Sequence, residues 1–126
     1  MDNRKELRPV LAKIEATEKC SIEEKFQNTT LRQVIKLQHA LLIAIFQDYA
    51  ITRKTDLKTL TEQRAKRFIE SALSKDIALK NKMIGLIVGQ FTLEEFDFYK
   101  NSSSEFNKRI FTIIKKRLKD SLLELS

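Results

Sequence analysis

The sequence predicts an all-α domain, a compact bundle of four to six helices. Three observations predict it. Backbone breakers are scarce, with two glycines and one proline in 126 residues, and the chain is rich in Leu, Ile, Lys and Glu, which favour helix. Apolar residues recur three and four apart through three long segments, and no segment alternates with period two. Three tetrapeptides, Ser21–Glu24, Thr59–Glu62 and Thr92–Glu95, have the Ser/Thr-x-x-Glu form of a capping box, in which the hydroxyl and the carboxylate each satisfy an orphan N–H of the first helical turn.

The elements follow in order. Residues 1–20 read as a charged N-terminal arm or short helix. Pro9 cannot occupy a helix interior but can begin one, and Val10, Leu11 and Ile14 form a small apolar face after it. Ser21 opens a helical stretch containing Phe26, which Asn28-Thr29-Thr30 interrupts or recaps. From Leu31 to about Arg53 the residues Leu31, Val34, Ile35, Leu42, Ile45, Phe46 and Tyr49 fall at helical spacing. Around Ala40–Phe46 every side is apolar, the pattern of a helix surrounded by protein; it predicts the central helix or a subunit interface. The Thr59 box begins a helix with Ala65, Phe68, Ile69, Ala72 and Leu73 inward. Asp76 is a cap for a further helix through Ile84, Ile87 and Val88.

Both glycines fall in that last helix. Gly89 reads as the left-handed residue that ends it. Gly85, costing about 1 kcal/mol against Ala in a helix interior, reads as a close approach by a neighbouring helix. The Thr92 box adds Phe91 and Phe96 as a hydrophobic staple. A final helix then carries Tyr99, Phe106, Ile110, Ile113, Leu118, Leu122 and Leu125, with Asn101–Ser104 as a kink or division.

The length fits one domain, residues 1–126, able to bury about two-thirds of its unfolded surface. A lone cysteine, Cys20, excludes an intramolecular disulfide framework and fits a reducing compartment. The first nineteen residues contain no apolar signal core, and Ala40–Phe46 is far shorter than a bilayer span. These features predict a cytoplasmic chain without membrane insertion. One histidine and one cysteine leave almost nothing for a metal cage or redox pair, so no cofactor is expected. No phosphate-binding glycine loop, GxSxG, HExxH or CxxC motif is present.

The net charge is +7, from 24 Lys and Arg against 17 Asp and Glu. Nine basic and four acidic residues lie between Arg53 and Lys82, and six basic and three acidic from Ser102 onward. Arg64, Lys66, Arg67, Lys115, Lys116 and Lys119 form a candidate basic surface, able to attract nucleic acid or an acidic partner. A solvated lysine-rich helix face explains the same charges, and no aromatic residues interleave with them to stack bases.

Three further constellations carry polar chemistry. His39 has Arg32, Lys36 and Ile43 as helical neighbours and reads as a surface or boundary residue. Glu94, Glu95 and Asp97 occupy a first helical turn, where the macrodipole favours negative charge. Gln38 falls on the apolar stripe between Val34/Ile35 and Leu42/Ile45, and Asn107 lies beside Phe106, Ile110 and Ile114. Buried amides without partners cost roughly 1–3 kcal/mol. The two should therefore be hydrogen-bonded, joining the central helix to the C-terminal helix or, with Arg109, holding a ligand.

The segments Phe26-Gln27-Asn28, Thr30-Leu31-Arg32, Val34–Gln38, Gly89–Thr92, Asn101-Ser102-Ser103 and Asn107-Lys108-Arg109 resemble a small all-helical family of Bacteroidetes, some of whose members carry the label "glyoxalase". The likeness spans most of the chain from Phe26 onward. It implies a helical fold and, through the label, an enzyme acting on a small ligand. Residue chemistry alone favours a non-enzymatic interaction module with a protein partner or a second copy of itself. A nucleic-acid-binding accessory protein is the alternative, and a small-ligand enzyme near Gln38, Asn107 and Arg109 the second alternative.

Overall fold

A computed structural model describes residues 22–126. The expectations for Pro9, Val10, Leu11, Ile14, Cys20 and Ser21 lie outside the described residues. Every regular element among the described residues is helical.

The chain begins with a rod: α1 (Ile22–Phe26), a π-helical turn (Gln27–Leu31) and α2 (Arg32–Leu37). The expected interruption at Asn28–Thr30 is this π turn, which the Arg32 N–H closes onto the Gln27 carbonyl. α3 (His39–Thr52) follows after Gln38, whose backbone (φ −91°, ψ 10°) turns the path by 61°. The predicted single helix from Leu31 to Arg53 is therefore two. The bend separates their partners: α2 lies along the C-terminal helix, while α3 packs against the last turn of the chain. No single helix among the described residues is long and apolar enough to cross a membrane. Glu24–Leu37 and His39–Thr52 meet that length and composition only jointly, across the bend.

α3 ends in a Schellman motif built without glycine. Lys54 takes φ 56°, its N–H donates to the Ile51 carbonyl, and the Thr55 N–H donates to the Ala50 carbonyl. A 3₁₀ turn (Leu57–Thr59) leads to α4 (Glu62–Lys75). The cap of α4 is Thr61, whose hydroxyl accepts from the Arg64 N–H at 3.2 Å. The Thr59 box does not form, because Thr59 is spent closing the 3₁₀ turn by donating to the Asp56 carbonyl.

Asp76 caps α5 (Ile77–Val88) as expected, accepting from the Leu79 N–H. Gly89 ends α5 in right-handed geometry (φ −61°), not left-handed. A Cβ there would meet the Gly85 carbonyl oxygen at 3.1 Å, and a Cβ at Gly85 would meet nothing within 4 Å. Among the described residues, no neighbouring helix uses Gly85 as an approach. Asn101 and Ser102 divide the expected last helix into α6 (Leu93–Lys100) and α7 (Ser103–Asp120), and α8 (Leu122–Leu125) is a single closing turn.

The Thr92 capping box is complete. Thr92 Oγ1 accepts from the Glu95 N–H and Glu95 Oε1 accepts from the Thr92 N–H. Phe91 meets the Tyr99 ring, one turn beyond the staple position, at 5.4 Å, while Phe96 remains 43% exposed.

The centre of the bundle is α7, a correction to the prediction for Leu31–Arg53. Phe106, Ile110, Ile114 and Leu118 are buried along it, and it packs against α2, the π turn, α4, α5, α6 and α8. α3 is apolar on every side from Ala40 to Phe46 but is not enclosed. Leu42, Ile43 and Phe46 are buried, whereas Ala40, Leu41, Ala44 and Ile51 face outward, Ile51 at 73% exposure. Phe26 joins the halves of the core, with ring centroids 4.8 Å from Phe98 and 4.8 Å from Phe106.

Removing the ring at this junction should be severe. Phe106→Ala is expected to cost about 3–5 kcal/mol, read as a lowered urea midpoint. Leu123→Ala, at a side chain 95% exposed, should leave the midpoint nearly unchanged. Equal effects would contradict this placement of the core.

Candidate functional site

The π turn and α2 form one wall of a groove, and α7 the other. The groove encloses about 610 Å³. Its α7 face runs from Glu105 to Ser121, about 24 Å at 1.5 Å per residue. Arg32, Lys108, Arg109, Lys116 and Arg117 line it, with Glu105 and Asp120. Five cations against two carboxylates leave an excess of three positive charges.

Those cations are of two kinds. The lysines have acidic partners on their own helix: Lys116 pairs with Asp120 at 3.0 Å and Lys108 with Glu105 at 3.9 Å. The arginines are held by neutral acceptors. Arg109 Nη1 donates to Gln27 Oε1 at 2.9 Å, and Arg32 Nε approaches Asn28 Oδ1 at 3.4 Å. Arg117 Nη1 lies 3.2 Å from His39 Nδ1. None of the three has a carboxylate partner among the described residues. A guanidinium carries five N–H donors, so one neutral bond orients it while leaving its charge and most of its donors to the groove.

His39 sits at the boundary, as expected, but with partners the local sequence did not show. Its Nε2 lies 2.5 Å from Glu124 Oε2 of α8. Arg117 can only donate, so Nδ1 accepts and Nε2 carries the proton toward Glu124. The imidazole thereby ties α7 and α8 to the start of α3. Among the described residues, no three His, Cys, Asp or Glu side chains gather to hold a metal ion.

The predicted basic surface divides. Lys115 and Lys119 turn to α4, bonding Glu70 at 2.8 and 3.3 Å, and Lys115 also lies over the Phe111 ring. Lys66 pairs with Glu62. Arg64 and Arg67 are exposed on α4, and Lys116 alone of the six lines the groove. The amide pair also separates. Asn107 is half-buried and accepts from the Tyr99 hydroxyl of α6. Gln38 is half-buried at the bend between α2 and α3, and its side chain makes no hydrogen bond among the described residues. The expected link between central and C-terminal helices is instead a link between α6 and α7. Arg109 belongs to the groove. Arg32 carried no distinguishing signal in the sequence and Arg117 stood only as one of the six basic residues after Ser102, since the acceptors Gln27 and His39 lie 82 residues from Arg109 and 78 from Arg117.

Two titratable groups respond to this packing. Burial pushes the Tyr99 phenol up, against the opposing bond to Asn107. The bond from Lys115 holds the Glu70 carboxyl down at about 2 from its ordinary 4.5, against an opposing cost of burial and with a lesser contribution from the bond to Lys119.

No family model, curated protein or solved structure matches the chain.

Asn107→Leu should strand the buried Tyr99 hydroxyl and cost roughly 1–3 kcal/mol. The double variant Asn107→Leu/Tyr99→Phe should recover most of that loss, and additive losses in urea melts would dismiss the pairing. Glu70 predicts a pH signature. Its carboxyl binds a proton more readily unfolded than folded, so its contribution is complete above about 4.5 and disappears as pH falls toward about 2. Glu70 is half exposed, so solvent screening keeps the effect to about 1 kcal/mol or less. Glu70→Gln should be less stable than wild type above that window and close to it at the acidic end.

Proposed function

We propose that this chain is a non-enzymatic interaction module whose binding element is the groove between the π turn, α2 and α7, and that it takes an anionic partner. The carrying observation is the set of three arginines oriented by neutral acceptors. Where this protein uses cations to hold itself together, as at Glu70, carboxylates neutralise them. In the groove, amides and an imidazole position the guanidiniums and their charge stays available. Anions bind such a site through paired N–H donors.

The nucleic-acid alternative has less support here. No aromatic side chain lines the groove, so there is no platform for bases, and Glu105 and Asp120 stand near its two ends, where a polyanion would continue. Self-association is a second reading, favoured by the outward strip of Leu41, Ala44 and Ile51 on α3. Sedimentation equilibrium showing only monomer at every concentration would remove it.

Citrate serves as a generic anionic probe in thermal unfolding. It should raise the Tm of the wild type by several degrees at saturation. Arg32→Gln/Arg109→Gln should lose most of that response. Arg64→Gln/Arg67→Gln, which removes the same net charge from α4, should keep it. A response unaltered in the groove variant, or lost equally in both, would overturn the reading.

A further inference from the structure

We infer that the groove recognises phosphoryl groups, in a ligand of short length and charge near −3, for which pyrophosphate is the minimal chemistry. The inference rests on the anion-binding reading above and names its ligand class.

Charge and donor geometry carry it. The uncompensated cations are all guanidiniums, because the two groove lysines already pair with Asp120 and Glu105. A guanidinium is a planar fork that engages two oxygens of one anion, whereas an ammonium acts as a point charge. One carboxylate offers two oxygens and one charge. It can fill one fork, so a carboxylate ligand needs three joined groups, as in citrate, to meet all three. A phosphoryl group presents three acceptor oxygens and up to about two charges, and two joined phosphoryl groups match the groove's excess of three.

The arginines also stand on both walls. The contacts Gln27–Arg109 and His39–Arg117 run in the same chain direction, so the rod lies alongside α7, and Arg32 falls between those two levels on the facing wall. Arg109 and Arg117 are about 12 Å apart along the helix axis. Ser121, four residues beyond Arg117, is half-buried in the groove, and its hydroxyl caps neither adjoining helix, which adds a donor suited to a phosphoryl oxygen. Glu105 and Asp120 bound the positive stretch. The volume of about 610 Å³ lies within the usual range for small-molecule sites. Without an aromatic ring in the lining, recognition must come from the phosphoryl groups and not from a base.

Calorimetric titration of the full chain at physiological ionic strength tests this, with pyrophosphate, citrate, adenosine diphosphate and a single-stranded oligothymidylate as probes. Pyrophosphate should bind saturably and about tenfold or more tighter than citrate. Adenosine diphosphate should match pyrophosphate and not exceed it. Arg32→Gln/Arg109→Gln should weaken pyrophosphate about tenfold or more, while Arg64→Gln/Arg67→Gln leaves it within about twofold, both variants retaining the wild-type far-ultraviolet circular dichroism. Citrate binding as tightly as pyrophosphate would overturn phosphoryl selectivity and leave anion binding standing. Absence of binding by any probe would overturn both. A nucleotide or oligonucleotide at least about tenfold tighter than pyrophosphate would assign the groove to base or polymer recognition and overturn the inference.

Discussion

The fold depends on one stripe of side chains. Phe106, Ile110, Ile114 and Leu118 repeat every four residues along α7, and all are buried. An α-helix advances about 100° per residue, so each step of four carries the stripe about 40° around the axis. Over the three steps it sweeps about a third of the circumference. Successive turns of α7 therefore present apolar surface in different directions. The first turn meets the aromatic cluster of Phe26, Phe98 and Tyr99, and the helix as a whole packs against α4, α5, α2 and α8. A ridge of this kind lets one helix serve as the common partner of several without any of them crossing it.

The same rotation sorts the charges of α7. Lys115 and Lys119, one turn apart, meet Glu70 on α4. Arg109, Lys116 and Arg117 emerge on the other side, beside the rod. In sequence these cations are a single run, Lys115-Lys116-Arg117-Leu118-Lys119. In space the run straddles the buried edge at Leu118, so its members have opposite environments. A basic run on a helix is thus a poor predictor of a basic face. Two of its four cations are structural ion pairs whose partner comes from another helix.

Much of the fold was legible because it is locally encoded. Thr92 and Glu95 are three residues apart and close their box without outside help. Asp76 likewise caps α5 from within its own segment. The failures share a different origin. Thr61 replaces Thr59 as a cap because the intervening 3₁₀ turn consumes Thr59. Gln38 sits in an unbroken apolar period, and nothing local marks the 61° bend; the divergence of α2 toward α7 and α3 toward α8 is a tertiary fact. Of the site, Arg109 and Lys116 were visible as cations, while the misplaced amides Gln38 and Asn107 lie outside the groove. For Arg109 and Arg117 the neutral partners lie far along the chain, and no local pattern encodes that.

The π turn connects these levels. Such a turn is rare, and its geometry persists where surrounding packing favours it. Here packing on one side supplies that support. Leu31 is fully buried, Phe26 is wedged among Phe91, Phe98 and Phe106, and the Thr30 hydroxyl reaches Glu95 Oε2 at 3.5 Å, next to the capping box of α6. One side of the turn is thus bound into the core and into α6. Gln27 and Asn28, at its start, supply the neutral acceptors for Arg109 and Arg32. An irregular turn held from behind by apolar and capping contacts presents two amides in front, and those amides orient guanidiniums without neutralising them. The core therefore does more than stabilise the bundle: through this turn it sets which positive charges stay open to a ligand.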